Sequence, residues 1–147
     1  MGVSKKNHKS EIMNGQLNEN VPEFKAIHLI LELYSCNKDK LNDELFLRYI
    51  INNAAKLSKS KVLNLLSNKF EPQGVTAIAL LAESHLSIHT WPECKYAAVD
   101  IYTCGQNMRP DLASKFLIDS LESQKQSTKK INRNFPKKIE SLIRTVS

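Results

Sequence analysis

The sequence lacks the cysteine patterns that cross-link small proteins or bind metal ions in them. Its 147 residues include three cysteines, Cys36, Cys94 and Cys104, an odd number at irregular spacing. Such spacing fits neither a disulfide framework nor a zinc site made of CxxC pairs. We therefore expect reduced thiols, a cytoplasmic protein and no metal site.

Long apolar runs are also missing. No stretch approaches the ~18 apolar residues of a membrane span. The lysines near the N-terminus are not followed by the apolar segment of a secretory signal. Hydrophobic residues make up 41% of the chain, which is slightly low but typical of a globular protein. This composition predicts one globular domain without a membrane partner.

Acidic residues are absent from residues 1–10 and scarce in residues 125–147, and the chain as a whole carries a net charge of +6. Residues 1–24 are polar and aperiodic, so we expect a disordered basic extension. Residues 125–147 contain one acid, Glu140, and are interpreted as a basic tail with at most one short strand, near 130–135. Solvated basic ends of this kind favour a protein without a nucleic-acid partner. The domain itself is then predicted over 25–124.

The apolar pattern between these ends predicts alternating strands and helices. Residues 26–34 alternate as a strand does, residues 41–57 carry the apolar stripe of a helix, and Pro110 suits the first turn of a second helix. Four further strands are predicted at 61–70, 75–82, 85–91 and 96–104. The order predicts an α+β two-layer sandwich, with two helices on one face of a mainly antiparallel sheet. The other face is expected to pack on a second copy of the chain.

Reactive side chains concentrate in one predicted hairpin, which comprises Leu80–Glu93 and Tyr96–Gly105. Pro92–Lys95 is a plausible four-residue loop between its strands. Antiparallel pairing around that loop sets the register of the hairpin. The predicted pairs are His85 with Tyr102, Ser87 with Asp100 and His89 with Ala98.

The same register places Cys104 opposite the Glu83–Ser84 junction, at a spacing of about 5 Å. Alternation along the strands puts Cys104 on one face with His85, Ser87 and His89. A serine, a thiol and histidines on one side of one hairpin indicate a reactive site.

His89 does not fit this arrangement. In a flat strand it lies ~16 Å from Ser84, because five residues separate them, and the two side chains point to opposite faces. For His89 to act on Ser84, the chain would have to bend sharply at 83–84 or coil strongly.

Residue types alone leave three interpretations open. The hairpin could be an ordinary one with a polar face. The chain could be a hydrolase that uses Ser84 or Cys104 with His89. It could also be a basic binding module without enzymatic activity, whose function would survive Ser84→Ala.

The stretch Leu81–Glu93, with the sequence LAESHLSIHTWPE, closely resembles the prokaryotic S-adenosylmethionine decarboxylase proenzymes. So does the stretch that follows, Tyr96–Gly105, and the resemblance extends over roughly 26–122. It implies a self-processing enzyme that cuts itself at Glu83–Ser84 into a β chain, 1–83, and an α chain, 84–147. Ser84 would become a pyruvoyl group that forms a Schiff base with S-adenosyl-L-methionine. Decarboxylation would give S-adenosylmethioninamine, the aminopropyl donor for spermidine biosynthesis.

The resemblance also implies roles for individual residues. His89 is expected to be the base for processing and Cys104 the proton donor in decarboxylation. Phe70 matches a family position whose ring stacks on adenine. Glu93 matches a position whose carboxylate holds the ribose hydroxyls. Thr76 matches a position near the processing site. The site is expected to lie between the two protomers of a homodimer. An alternative within the family is a pyruvoyl-dependent arginine or ornithine decarboxylase.

Overall fold

The computed structural model describes residues 24–134. The disorder predicted for the N-terminal extension, and the part of the tail after residue 134, lie outside this range. In the described part, strands and helices follow the predicted order. The strands are β1 (Lys25–Tyr34), β2 (Lys61–Lys69), β3 (Val75–Ala82), β4 (Ser84–Trp91), β5 (Tyr96–Gly105) and β6 (Lys125–Asn132), and the helices are α1 (Lys38–Leu41), α2 (Glu44–Leu57) and α3 (Pro110–Ser120).

The strands form one antiparallel sheet in the order β2-β3-β4-β5-β1-β6. Helices α2 and α3 pack on each other, and both contact strands of the sheet. The predicted two-layer α+β sandwich is therefore confirmed. Strand β3 lies between β2 and β4, so it is paired on both of its edges.

The last strand differs from the prediction in extent. It begins at Lys125 rather than near residue 130, and it pairs with β1 over the whole of Lys125–Asn132. Every residue of β6 is exposed, so its sequence carries no apolar alternation that could mark it as a strand. Main-chain pairing with β1 makes it part of the sheet.

The helix predicted over 41–57 begins at Glu44, and a separate short helix, α1, precedes it. Asn37 caps the short α1 by accepting from the backbone N–H groups of Asp39 and Lys40. Asp43 then caps α2 by accepting from the N–H of Phe46 at 3.0 Å. Because each cap satisfies free donors of a first helical turn, two helices form where the apolar stripe alone predicts one.

One face of the sheet is buried by the helices and the other is open within this chain. Buried apolar residues alternate along β1, β3 and β5 with residues that face the open side. The open face exposes large apolar side chains, with Leu66 66% and Leu80 52% exposed. Histidines, acids and tyrosines from the middle strands lie on the same open face.

No helix within residues 24–134 is long and apolar enough to cross a membrane.

Candidate active site

The predicted register of the β4–β5 hairpin is confirmed. His85 pairs with Tyr102, Ser87 with Asp100 and His89 with Ala98. Pro92–Cys94 forms a short 3-10 turn, and Lys95 completes the loop with a positive φ of 52°. The four-residue loop thus fixes which side chains face each other across the hairpin.

Ser84 is the first residue of β4 and lies beside a tight reversal of the chain. Leu81 of β3 pairs with Ser84, so Ala82 and Glu83 form the reversal between the two strands. A sharp bend at 83–84 would be needed to bring His89 close to Ser84, but this turn does not provide it. It reverses the chain before β4 and leaves Ser84 and His89 at opposite ends of that strand.

A depression of about 540 Å³ opens beside this turn. Apolar side chains of β2 and β3 form one part of its lining, and polar side chains of the turn, β4, β5 and the residue after β6 form the rest. The lining residues are Leu63, Leu80, Leu81, Ala82, Glu83, Ser84, His85, Tyr102 and Arg133. It offers an apolar wall and several polar groups around the Ser84 hydroxyl, as ligand sites commonly do.

Cys104 lies next to this turn and is buried, with 6% of its surface exposed. Burial raises the pKa of its thiol, and the Glu83 carboxylate raises it further, whereas a hydrogen bond with Tyr102 and the charge on Arg133 lower it. The net effect raises the thiol pKa, so the thiol keeps its proton at neutral pH. The interaction with Glu83 agrees with the predicted position of Cys104 opposite the Glu83–Ser84 junction.

Two residues at this end of the hairpin were missed by the sequence reasoning. Tyr102 lies two residues before Cys104 on the same face, and its hydrogen bond with Cys104 and its burial raise the pKa of its phenol. Strand alternation could have identified it. The guanidinium of Arg133 lies over the Tyr102 ring, with its Cζ 5.2 Å from the ring centroid. Nothing in the sequence marks Arg133, because its position depends on the pairing of β6 with β1.

A further polar group lies on the open face beside Tyr102. The Nε2–H of His28 donates to Asp100 Oδ1 at 2.8 Å. The His28 ring contacts the rings of Tyr102 and His85, at centroid distances of 5.7 Å and 6.4 Å. Asp100 thus orients a histidine of β1, which was also missed because its partner is distant in sequence.

His89 is held at the other end of β4. Its Nδ1 lies 2.8 Å from Thr76 Oγ1, within hydrogen-bonding distance, and Thr76 pairs with it across the β3–β4 ladder. The Trp91 ring lies 6.4 Å from the His89 ring. Thr76, expected near a processing residue, therefore contacts His89 rather than Ser84.

Phe70 and Glu93 also lie toward the His89 end. Phe70 follows β2, where its N–H donates to Gly74 O at 2.8 Å, and the residue is 48% exposed. Glu93 is exposed in the turn after β4. Within one chain, the structure brings Cys104 close to Glu83, which precedes Ser84, but it does not bring His89, Phe70 or Glu93 there.

Residues 24–134 contain no group of three histidine, cysteine, aspartate or glutamate side chains that could hold a metal ion.

Comparison with known proteins gives consistent matches over this fold. The family model for S-adenosylmethionine decarboxylase matches residues 27–134. The chain is 52% identical over 118 residues to the S-adenosylmethionine decarboxylase proenzyme of Synechococcus sp. (strain WH7803), covering 80% of this chain and 92% of that protein. It is 37% identical over 106 residues to the proenzyme of Thermodesulfovibrio yellowstonii, covering 72% and 78%.

A solved structure has the same fold. The crystal structure of the adenosylmethionine decarboxylase from Aquifex aeolicus superposes with a TM-score of 0.73 at 30% sequence identity. The match covers 79% of this chain and 96% of that one. The residues matched by the family model include all of β6.

Proposed function

Because the chain belongs to the S-adenosylmethionine decarboxylase family, we propose that it decarboxylates S-adenosyl-L-methionine to S-adenosylmethioninamine, the aminopropyl donor for spermidine biosynthesis. The observation that carries the proposal is the buried Cys104 thiol beside the turn that contains Glu83 and leads into Ser84. The proteins reported above are named for S-adenosylmethionine, and no observation favours arginine or ornithine instead.

The residues around Ser84 fit a pyruvoyl group made from this serine. Ser84 follows the Glu83 carbonyl directly, and both line an open depression with room for a ligand. In the proposed self-cleavage, the Ser84 hydroxyl attacks that carbonyl to form an ester, and β-elimination then separates residues 1–83 from residues 84–147. The dehydroalanine left at residue 84 takes up water and releases ammonia to become the pyruvoyl group. When formed, the pyruvoyl group supplies an electron-accepting carbonyl that no ordinary side chain offers.

Cys104 is the proposed proton donor for decarboxylation. A donor must carry its proton at the working pH. Burial and the neighbouring Glu83 carboxylate both raise the pKa of the Cys104 thiol and so favour its protonated form. A reducing cytoplasm would keep this thiol free, and we propose that location for the enzyme.

His89 is the proposed base for processing, and it requires a second chain. Ser84 and His89 lie toward opposite ends of β4, ~16 Å apart. Thr76 holds the His89 ring through its Nδ1 atom, which fixes the orientation of the ring. We propose that His89 acts on Ser84 of a partner chain, so that each site combines the Ser84 end of one copy with the His89 end of the other.

The open face of the sheet supports such a homodimer. It exposes Leu66, Ile78, Leu80 and Trp91, and apolar surface of this kind is common where proteins associate. Phe70 and Glu93 lie toward the His89 end, so the same pairing would bring them to the Ser84 of the partner. There, Phe70 would stack on adenine and Glu93 would accept hydrogen bonds from the ribose hydroxyls.

The first experiment is the intact mass of the purified protein under denaturing conditions. Two fragments that end at Glu83 and begin at the former Ser84, the second without a free amino terminus, are expected. A single chain that remains uncut during long incubation would contradict the proposal. A cut protein that releases CO2 from arginine but not from S-adenosylmethionine would contradict the substrate assignment.

The second experiment tests the shared site by co-expressing Ser84→Ala and His89→Ala chains with different tags. A site shared between chains gives one working combination in each mixed dimer, because the His89→Ala chain supplies Ser84 and the Ser84→Ala chain supplies His89. We expect cleavage in the doubly purified mixed dimer and little in either parent alone. No cleavage in the mixed dimer would place both residues in the same chain.

A further inference from the structure

The wall of the depression beside Ser84 carries a positive charge that takes no part in the reaction proposed above. Arg133 lines the depression together with Glu83, Ser84 and Tyr102. Its guanidinium Cζ lies 5.2 Å from the centroid of the Tyr102 ring. A guanidinium stacked on an aromatic ring is held in place while its N–H donors stay free for a ligand.

The sheet topology brings Arg133 to this wall. The backbone N–H of Arg133 donates to Ala26 O at 2.8 Å, which extends the pairing of β6 with β1 by one residue. Ala26 in turn pairs with Cys104 of β5. Because Ala26 carries only a methyl group, the long Arg133 side chain can pass over β1 and reach Tyr102.

The charge of Arg133 has no equivalent in the lining. Among the lining residues within the described part of the chain, Arg133 alone carries a fixed positive charge. In an amino acid, the α-carboxylate and the α-amine are bonded to the same carbon. An amine that reaches residue 84 therefore brings its carboxylate into this depression, where arginine can bind it through two parallel hydrogen bonds.

We propose that Arg133 binds the α-carboxylate of the substrate and distinguishes the amino acid from its decarboxylated product. This inference rests on the proposed function. Arg133 is exposed, so solvent screens its attraction and the carboxylate is held only moderately. A moderate hold orients the carboxylate without preventing the loss of CO2. The product lacks the carboxylate, loses this contact and dissociates more readily.

The test compares substrate and product in processed Arg133→Gln, Arg133→Lys and Lys130→Gln proteins. Lys130 is an exposed cation of the same strand and pairs with the core-facing Leu29, so it points away from the depression and serves as the control. Steady-state CO2 release gives the KM for S-adenosylmethionine. Calorimetry gives the Kd for S-adenosylmethioninamine, a measurement that does not depend on turnover.

Arg133→Gln is expected to raise the KM about tenfold, because it removes a charged hydrogen bond. It should change the product Kd less than about twofold. Arg133→Lys keeps the charge and should raise the KM less. Lys130→Gln should change neither value.

Three outcomes would overturn the inference. The first is an equal weakening of substrate and product by Arg133→Gln, which would indicate a general change in the site. The second is no change in either value. The third is an Arg133→Gln chain that stays uncut, which would assign Arg133 to processing. If instead the proposed function fails, the wild-type chain itself will stay uncut or release no CO2.

Discussion

The two ends of β4 differ in what they present to a substrate. The Ser84 end has a depression, a buried thiol and a stacked arginine. The His89 end has a histidine fixed by Thr76 and an exposed ring and carboxylate at Phe70 and Glu93. In the proposed reaction one end supplies the reacting groups and the other the processing base and the groups for the nucleoside. Since a strand of this length keeps its ends apart, the proposed reaction requires the Ser84 end of one chain and the His89 end of another.

The largest expected effect comes from Ser84→Ala, which removes the hydroxyl that both proposed reactions require. Cleavage and CO2 release should both be abolished, as measured by intact mass and by release of labelled CO2. Ser87→Ala, a change on the same strand, is the control and should still be cut. Cleavage of the Ser84→Ala chain between residues 83 and 84 would remove the basis for assigning the chemistry to this end.

Cys104→Ala should separate the two reactions. Because the thiol is proposed to act only in decarboxylation, the chain should still be cut, whereas kcat should fall by about 10²–10⁴-fold. Cys94→Ala, an exposed cysteine, serves as the control and should keep its turnover. Equal losses of cleavage and kcat in Cys104→Ala would contradict the assigned role.

His89→Ala tests the other end of the strand. Cleavage should slow by roughly 100-fold, as expected for the loss of a general base, when followed by gel densitometry over time. Thr76→Val removes only the hydrogen bond to His89 and should slow cleavage about 3- to 10-fold. Normal cleavage of the His89→Ala chain would exclude His89 as the processing base.

The smallest effect concerns the pH dependence of kcat. Burial raises the pKa of the Cys104 thiol, and the positive charge of Arg133 lowers it. The protonated donor is present below this pKa and is lost as the pH rises through it, so kcat should fall only on the alkaline side. Arg133→Gln removes a charge that favours the thiolate and should move this fall to higher pH. A shift to lower pH would contradict the proposed donor.

The sequence predicts the hairpin well because loop length and strand alternation determine its register. Four loop residues after Trp91 are sufficient to pair His85 with Tyr102 and to place Cys104 near Glu83. Strands β1 to β5 and the helical layer follow from apolar periods in the same way. The roles of Ser84, His89 and Cys104 come from the family resemblance and remain predictions.

Other features depend on contacts that are distant in sequence. The pairing of β6 with β1 places Arg133 over Tyr102, yet the lysine-rich β6 has no apolar pattern. The pair between His28 and Asp100 joins residues 72 positions apart. The proposed action of His89 depends on a second chain, because one copy keeps His89 and Ser84 toward opposite ends of β4.

The order of the strands also determines what a cut at Glu83–Ser84 would leave behind. Strand β1 belongs to the first fragment, but it lies between β5 and β6 of the second. Nine residue pairs join β1 to β5 and eight join it to β6, and β3 remains paired with β4. The two fragments are therefore interleaved, and separating them would require opening three ladders of hydrogen bonds. A broken peptide bond would give two polypeptides that still behave as one folded body.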